Sequence, residues 1–214
     1  MGICYVVGAG DCTGVTVIPK EDDYVIAADA GLVALREWDV TPHLAVGDFD
    51  SLVAVPTEVP TLQFPVRKDE TDTMLAVEEG RKRGFRRFAL LGGMGGRTDH
   101  TLANLQLLTF LARRGCRGVL LGNGVAATVI ADGESFCMQQ ESGTISVFCC
   151  GDTATGVSIQ GLNYTAENIS LTGEMPLGVS NAFIGKKATI SVKKGALLIW
   201  WEWQEEETAL ACLR

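Results

Sequence analysis

The sequence predicts a two-domain α/β protein: an N-terminal parallel-sheet α/β domain over residues 1–132 and a C-terminal all-β sandwich over 133–214. Three observations lead there. Apolar strand-like runs alternate with helix-like segments up to about residue 132, the order of a parallel sheet with crossover helices. Helical periodicity then disappears, and short β-rich pieces recur between Gly, Asn and Asp. Polar clusters follow several of the N-terminal strands, at the sheet edge where open α/β folds bind ligands.

Taken in order, residues 3–7 (Ile-Cys-Tyr-Val-Val) read as a buried strand. Gly8-Ala9-Gly10-Asp11-Cys12-Thr13-Gly14 follows. It resembles a dinucleotide fingerprint, but the third glycine is one residue late and no amphipathic helix opens after it. A turn at the sheet edge is the expectation. Residues 24–28 form a second strand ending at Asp29, and 30–38 a helix with Leu32, Leu35 and Trp38 facing inward. Asp29 either caps that helix or adds a carboxylate to the same edge.

Leu44-Ala45-Val46 leads into Gly47-Asp48-Phe49-Asp50-Ser51. Asp48 and Asp50 stand two residues apart at the end of a strand. Close carboxylates repel unless a proton or cation relieves them, and Mg²⁺ takes carboxylate oxygens together with substrate phosphates. Ser51 is placed to hydrogen-bond a carboxylate or cap a turn. A polar turn alone would use the same residues; two further clusters favour the metal reading. Residues 53–60 read as a loop and 62–65 as extended chain.

The second cluster is Lys68-Asp69-Glu70-Thr71-Asp72-Thr73, ahead of a helix running to about Arg83 and stopped by Gly84. Asp69 or Thr71 is the expected cap, and Asp72 falls in the first turn, where negative charge is favoured. Phe88–Leu91 is a strand. It ends in the third cluster, Gly92-Gly93-Met94-Gly95-Gly96-Arg97-Thr98-Asp99-His100. Strand, glycine loop and helix present backbone N–H groups to an anion. Arg97 offers a planar fork for phosphate. Asp99 pairs with Arg97, binds metal or caps the helix, and His100 reads as a hydrogen-bonded helix-start residue. The helix is expected over 101–114, with Leu102, Leu105, Leu108 and Leu111 buried.

Residues 119–121 and 126–130 are strands, followed by β-pieces at 135–138, 144–149, 156–162, 169–171, 188–192 and 196–200. Trp201-Glu202-Trp203 then alternates before the acidic Glu205-Glu206-Glu207; packing of an edge strand is expected there.

Composition bounds the function. Of 214 residues, 47% are apolar, enough for a substantial core, and the net charge is −8. No basic run is long enough to track a nucleic acid, so an anionic substrate requires local positive charge or a metal. Arg81-Lys82-Arg83 suits a helix end. Seven cysteines and two histidines show no zinc spacing, which is consistent with free thiols in a reducing cytoplasm. No signal peptide is seen, and no apolar run reaches the ~20 residues of a membrane span.

The three clusters occur in the order and spacing of thiamine pyrophosphokinases, and the chain resembles a bacterial member of that family. The similarity extends to Ala28-Asp29-Ala30-Gly31, Asn104, Gly161-Leu162-Asn163-Tyr164 and Val179-Ser180-Asn181, over about residues 24–200. It implies a homodimer with sites between subunits. It also implies Mg²⁺-dependent transfer of pyrophosphate from ATP to the hydroxyl of thiamine, giving thiamine diphosphate and AMP. By position, Asp48, Asp50 and Asp72 match the metal- and phosphate-site carboxylates. Lys68, Thr71, Arg97 and Asp99 match polar residues around the nucleotide, with Asp69, Gly95, Gly96 and His100 grouped beside them. Ser180 matches a serine near thiamine, next to Asn181, and Asp29 suits a cationic substrate. Ala182 stands where an acidic residue is common, and Ala30 where glycine is usual. The alternatives are a pyrophosphokinase acting on a pterin-like alcohol and a non-catalytic nucleotide- or thiamine-binding regulator.

Overall fold

The computed structural model describes residues 2–50, 56–122 and 124–213. Ser51 and the start of the expected 53–60 loop lie outside the described residues. The chain forms two compact units. One comprises residues 1–104 and 120–123, the other 105–119 and 124–214.

The first unit is built on β1 (Cys4–Val7), β2 (Tyr24–Ala28), β3 (Leu44–Gly47), β4 (Thr61–Gln63) and β5 (Arg87–Leu91). All pair in parallel, in the order β5-β1-β2-β3-β4. Residues of β1 and the interior of β2 and β5 are almost fully buried, which is why these strands read as unbroken apolar runs rather than alternating ones. The chain moves from β1 to β2 on one side, while β5 returns on the other. The loops after β1 and β5 therefore meet at the topological switch point. There Gly8 N–H donates to Leu91 O at 2.8 Å and Gly10 N–H to Gly92 O at 2.9 Å.

Helix α1 (Gly31–Glu37) follows β2. It is not capped by Asp29 as one of the two sequence readings had it. Ala30 holds the cap position and makes no side-chain bond, and Asp29 instead adopts φ +49°, leaving its carboxylate at the sheet edge. Leu32 and Leu35 are buried and Trp38 half-buried. A Cβ on Gly31 would lie 1.9 Å from Val7 O, so glycine is required for the helix to approach β1. Gly31→Ala is expected to destabilise the protein by about 3 kcal/mol, although alanine in a helix ordinarily gains stability. A denaturation midpoint equal to or above wild type would show that β1 and α1 relax apart freely.

Helix α2 (Asp72–Lys82) begins at Thr71, whose Oγ1 accepts from Met74 N–H at 3.2 Å. Glu79, largely buried, pairs with Lys82 at 2.6 Å and Arg83 at 2.7 Å, so the basic run is neutralised locally. Helix α3 (Thr98–Ala112) starts three residues before the expected 101. Its buried residues include Leu107, Leu108 and Leu111, whereas Leu102 is 59% exposed and Leu105 half-buried. The expected stripe was spaced every three residues. Such a spacing drifts by about 60° per step against the ~3.6-residue turn, carrying Leu102 to the opposite face from Leu111. Strand β6 (Arg117–Gly122) completes this part of the chain.

The strands of the second unit form two antiparallel layers, the first belonging to the ten-stranded sheet and the second a sheet of its own. One runs β7 (Val125–Ala131), β14 (Ala196–Glu202), β9 (Thr144–Cys149) and β12 (Gly178–Ala182). The other runs β11 (Ala166–Thr172), β10 (Thr153–Gln160), β13 (Lys187–Ser191) and β8 (Ser135–Gln139). Their inner faces meet: the Phe136 and Trp201 rings pack 5.2 Å apart at 53°, a favourable tilted geometry. The expectation of an edge strand at the C-terminus is corrected here. β14 is paired on both sides and Trp201 is wholly buried. The acidic segment beyond it turns into helix α4 (Glu206–Leu210).

Candidate active site

Asp29 lies just after β2, and Asp48 just after β3. The two strand ends converge because Asp29 N–H donates to Val46 O at 2.8 Å. A side chain at Gly47 would stand 3.1 Å from Asp29 Cα, so the glycine lets the carboxylates approach. Phe49 has φ +60° and is 3% exposed. Burying that ring turns the neighbouring aspartates outward. Asp48 Oδ1 accepts from Asp50 N–H at 3.2 Å. Asp29, Asp48 and Asp50 thereby offer oxygens within 4.8 Å of one another. Asp29 Oδ1 is buried without a hydrogen-bond partner, an arrangement a cation would relieve.

Asp72, in the first turn of α2, reaches the cluster through Lys68. The ammonium lies 2.8 Å from Asp48 Oδ2 and 2.9 Å from Asp72 Oδ1, with only 12% of the lysine side chain exposed. The hydrogen bond from Lys68, then that from Asp50 N–H, holds Asp48 below the usual carboxylate range. Burial pushes Asp72 up; Lys68 opposes this, and the charges of Asp48 and Asp29 add to it. Burial alone would lower Lys68, but its bonds to Asp48 and Asp72 raise it overall. Lys68 is thus a counter-charge inside the carboxylate group, a role the sequence reading missed. Its four-residue spacing from Asp72 was the available signal.

The glycine loop is shaped by close approaches. A Cβ on Gly92 would stand 2.4 Å from Gly8 O, and one on Gly93 2.7 Å from Leu120 Cδ1. Gly95 and Gly96 have φ +82° and +64° and are exposed. Buried Asn104 ties the loop to α3 by donating to Gly93 O at 3.0 Å. Arg97 and Asp99 form an exposed pair at 2.7 Å. The Arg97 hydrogen bond holds Asp99 below its ordinary range and raises Arg97. His100 is exposed at the helix start, its N–H donating to Asp99 Oδ1 at 3.0 Å. Thr71 Oγ1 is engaged in its cap, and Asp69 is exposed.

In the second unit, Ser180 is exposed with φ +62°, its N–H donating to Ser146 Oγ at 3.1 Å. Asn181 is buried, and its amide bonds both Tyr164 O at 2.7 Å and Tyr164 N–H at 2.9 Å. It braces the turn that presents Tyr164, with Ser180 beside it.

Carboxylates at the carboxyl edge of a parallel sheet with a lysine among them, and a glycine loop after β5, give this α/β unit the kinds of group that phosphoryl transfer uses; the other unit is a β-sandwich. Two family models match: "Thiamin pyrophosphokinase, catalytic domain" over residues 16–120, and "Thiamin pyrophosphokinase, vitamin B1 binding domain" over 136–197. Together they take up well over half of the sequence, and the chain belongs to the thiamin pyrophosphokinase family. A thiamine pyrophosphokinase of Bacillus subtilis (strain 168) is 28% identical over 196 residues, covering 88% of this chain and 90% of the relative. Among solved structures, the Bacillus subtilis thiamine pyrophosphokinase superposes with TM-score 0.83 at 23% identity, covering 95% of this chain and all (100%) of that one. A thiamin pyrophosphokinase family protein from Enterococcus faecalis gives 0.78 at 27%, covering 96% and 100%. The family resemblance read from the three clusters holds, and with it a thiamine diphosphokinase activity: thiamine diphosphate is made by pyrophosphoryl transfer. The pterin-like and regulatory alternatives are not favoured.

Proposed function

We propose that this enzyme transfers the pyrophosphoryl group of ATP to the hydroxyl of thiamine with Mg²⁺ at the aspartate cluster, releasing AMP. The observation that carries this reading is the convergence of Asp29, Asp48 and Asp50 within 4.8 Å, beside Asp72 and Lys68. The donor set fits a hard cation, being all carboxylate oxygen, and the unpartnered Asp29 Oδ1 supplies a vacant acceptor. Asp29, Asp48 and Asp50 would hold the metal, with Asp72 joined to them through Lys68. A Mg²⁺ ion held there would supply charge neutralisation for the phosphate oxygens.

The chain's own groups do the rest. The reaction needs alignment of an alcohol with the β-phosphorus and stabilisation of spreading charge. Arg97 and the amides around Gly95 and Gly96 are suited to the phosphates. Lys68, Asp69, Thr71 and His100 are assigned to the nucleotide side in this reading. Asp72 and Asp99 are the candidate bases for the hydroxyl proton. Burial raises Asp72, while the hydrogen bond from Arg97 lowers Asp99.

Residues 1–132 carry catalysis, and 133–214 bind thiamine, with Ser180 and Asn181 as its contacts, and dimerise; Asp29, in the first part, suits a cationic substrate. Exposed apolar side chains at Tyr164, Met175, Leu177, Val179 and Ile184 support a homodimer. A cytoplasmic location is supported by seven free cysteines. No described helix is long and apolar enough to cross a membrane.

One incubation with ATP, Mg²⁺ and thiamine tests the reading. Chromatography is expected to resolve AMP and thiamine diphosphate, both abolished by a chelator. ADP with thiamine monophosphate would overturn it.

A further inference from the structure

The last turns of α3, with Arg113 and Arg114 just beyond them, form one wall of a groove of about 480 Å³. Cys150 and Gly151, which follow β9, and Leu198 of β14 form the other. All of these residues belong to the second unit. The volume lies within the roughly 300–1,000 Å³ of ligand pockets, and no residue of the aspartate cluster or the glycine loop lines it.

On a chain of net charge −8 the groove is a local exception. Two arginines line it, and no Asp or Glu does among the described residues. The two cations are used differently. Arg114 serves the helix end: its Nη1 donates to Phe110 O at 3.3 Å, and its guanidinium lies 3.6 Å from the centre of the Phe110 ring. A cation there complements the helix dipole. The Arg113 side chain is exposed and makes no hydrogen bond or ion pair among the described residues. Its Nη2 stands 3.9 Å from where a Cβ on Gly151 would lie, so the guanidinium reaches toward the opposite wall, which offers it no side chain at that point. Burial, foremost, raises the Cys150 thiol, against the pull of Thr109 and Arg113, so no thiolate competes for the cations at neutral pH. The Arg113 fork, a shape that matches phosphate and carboxylate edges, therefore stands over half-buried Leu105, Phe110 and Leu198.

We propose that this groove is a second ligand site, separate from the aspartate cluster, for an aromatic phosphate monoester with a neutral ring. The phosphate sits on Arg113 and Arg114 and the ring on Leu105, Phe110 and Leu198. Two adjacent cations favour a phosphate monoester, with its charge of about −1.5 to −2, over a singly charged carboxylate. A cationic ring finds no acidic partner here, so thiamine phosphates are disfavoured.

Calorimetric titration of the full chain with phenyl phosphate tests it. Mg²⁺ and an ATP analogue with an uncleavable α–β bridge are kept saturating, so that the catalytic site is occupied. Wild type is expected to bind one phenyl phosphate per chain. Inorganic phosphate, which lacks the apolar body, is expected to bind about tenfold more weakly, and benzoate and thiamine monophosphate also more weakly than phenyl phosphate. Arg113→Gln should weaken phenyl phosphate by about tenfold or more, the scale of hydrogen bonds to a charged group. It should leave the denaturation midpoint and the rate of AMP formation unchanged, since the side chain is exposed and unbonded. Absence of saturable binding, equal affinity in Arg113→Gln, or inorganic phosphate, benzoate or thiamine monophosphate binding as tightly as phenyl phosphate would overturn the proposal. Loss of AMP formation in Arg113→Gln at an unchanged midpoint would also overturn it, by placing Arg113 in the reacting centre.

Discussion

Asp50→Asn is expected to lower turnover by about two to four orders of magnitude, the scale of removing a group that stabilises transition-state charge. The substitution keeps the shape of the side chain and deletes one of the three clustered charges. Asp50 is exposed, and the turn is anchored instead by buried Phe49, so the denaturation midpoint should stay close to wild type. Steady-state rates of AMP formation give the answer. A loss of less than fivefold, on the order of noise beside the expected effect, would remove Asp50 from the reacting centre.

Lys68→Met is expected to destabilise the metal-free protein by about 1–3 kcal/mol near neutral pH, the scale of losing hydrogen bonds to charged partners. The variant leaves Asp48 and Asp72 facing each other with Asp29 nearby and no ammonium between them. The pH dependence has a definite sign. Asp48 is depressed when folded, so its contribution is present above the ordinary carboxylate value of about 3.8 and is lost as pH falls through the lower folded value. Lys68 is raised when folded. Its contribution is therefore present below about 10.5 and is lost as pH rises through the higher folded value. The gap between variant and wild type should be widest between these limits and close on acidification, as the carboxylates protonate. Denaturation midpoints measured across that range test this. A variant as stable as wild type at pH near 7 would mean that the ammonium contributes nothing net.

Much of this was legible in the sequence because it was local. Strands buried on both faces announce themselves as apolar runs, and the second and ninth strands have the bounds that Tyr24–Ala28 and Thr144–Cys149 suggested. The Asp-Phe-Asp turn and the glycine loop were visible because their residue types are costly elsewhere. The obscure features depend on partners distant in the chain. Asp29 joins Asp48 only because β2 pairs with β3 in a register that sets Ala28 opposite Val46. Trp201 is interior only because β14 has a neighbour on each side. Gly-Val-Ser-Asn-Ala of β12 is too polar to announce a strand and is held by its pairing with β9. Lys68 read as a residue of a polar helix start, and its partner Asp48 lies twenty residues earlier. The Leu102 error was one of phase: a three-residue spacing looks helical but does not hold one face.

The measurement that bears most directly on the aspartate cluster is divalent-ion binding. Mn²⁺, as a paramagnetic substitute for Mg²⁺, would be titrated by electron paramagnetic resonance with an ATP analogue whose α–β bridge resists cleavage. Wild type is expected to bind Mn²⁺ in the ternary mixture, with Asp50→Asn and Asp48→Asn each weakening it by about tenfold or more. Equal Mn²⁺ binding by all three proteins would contradict the assignment of these carboxylates to the metal.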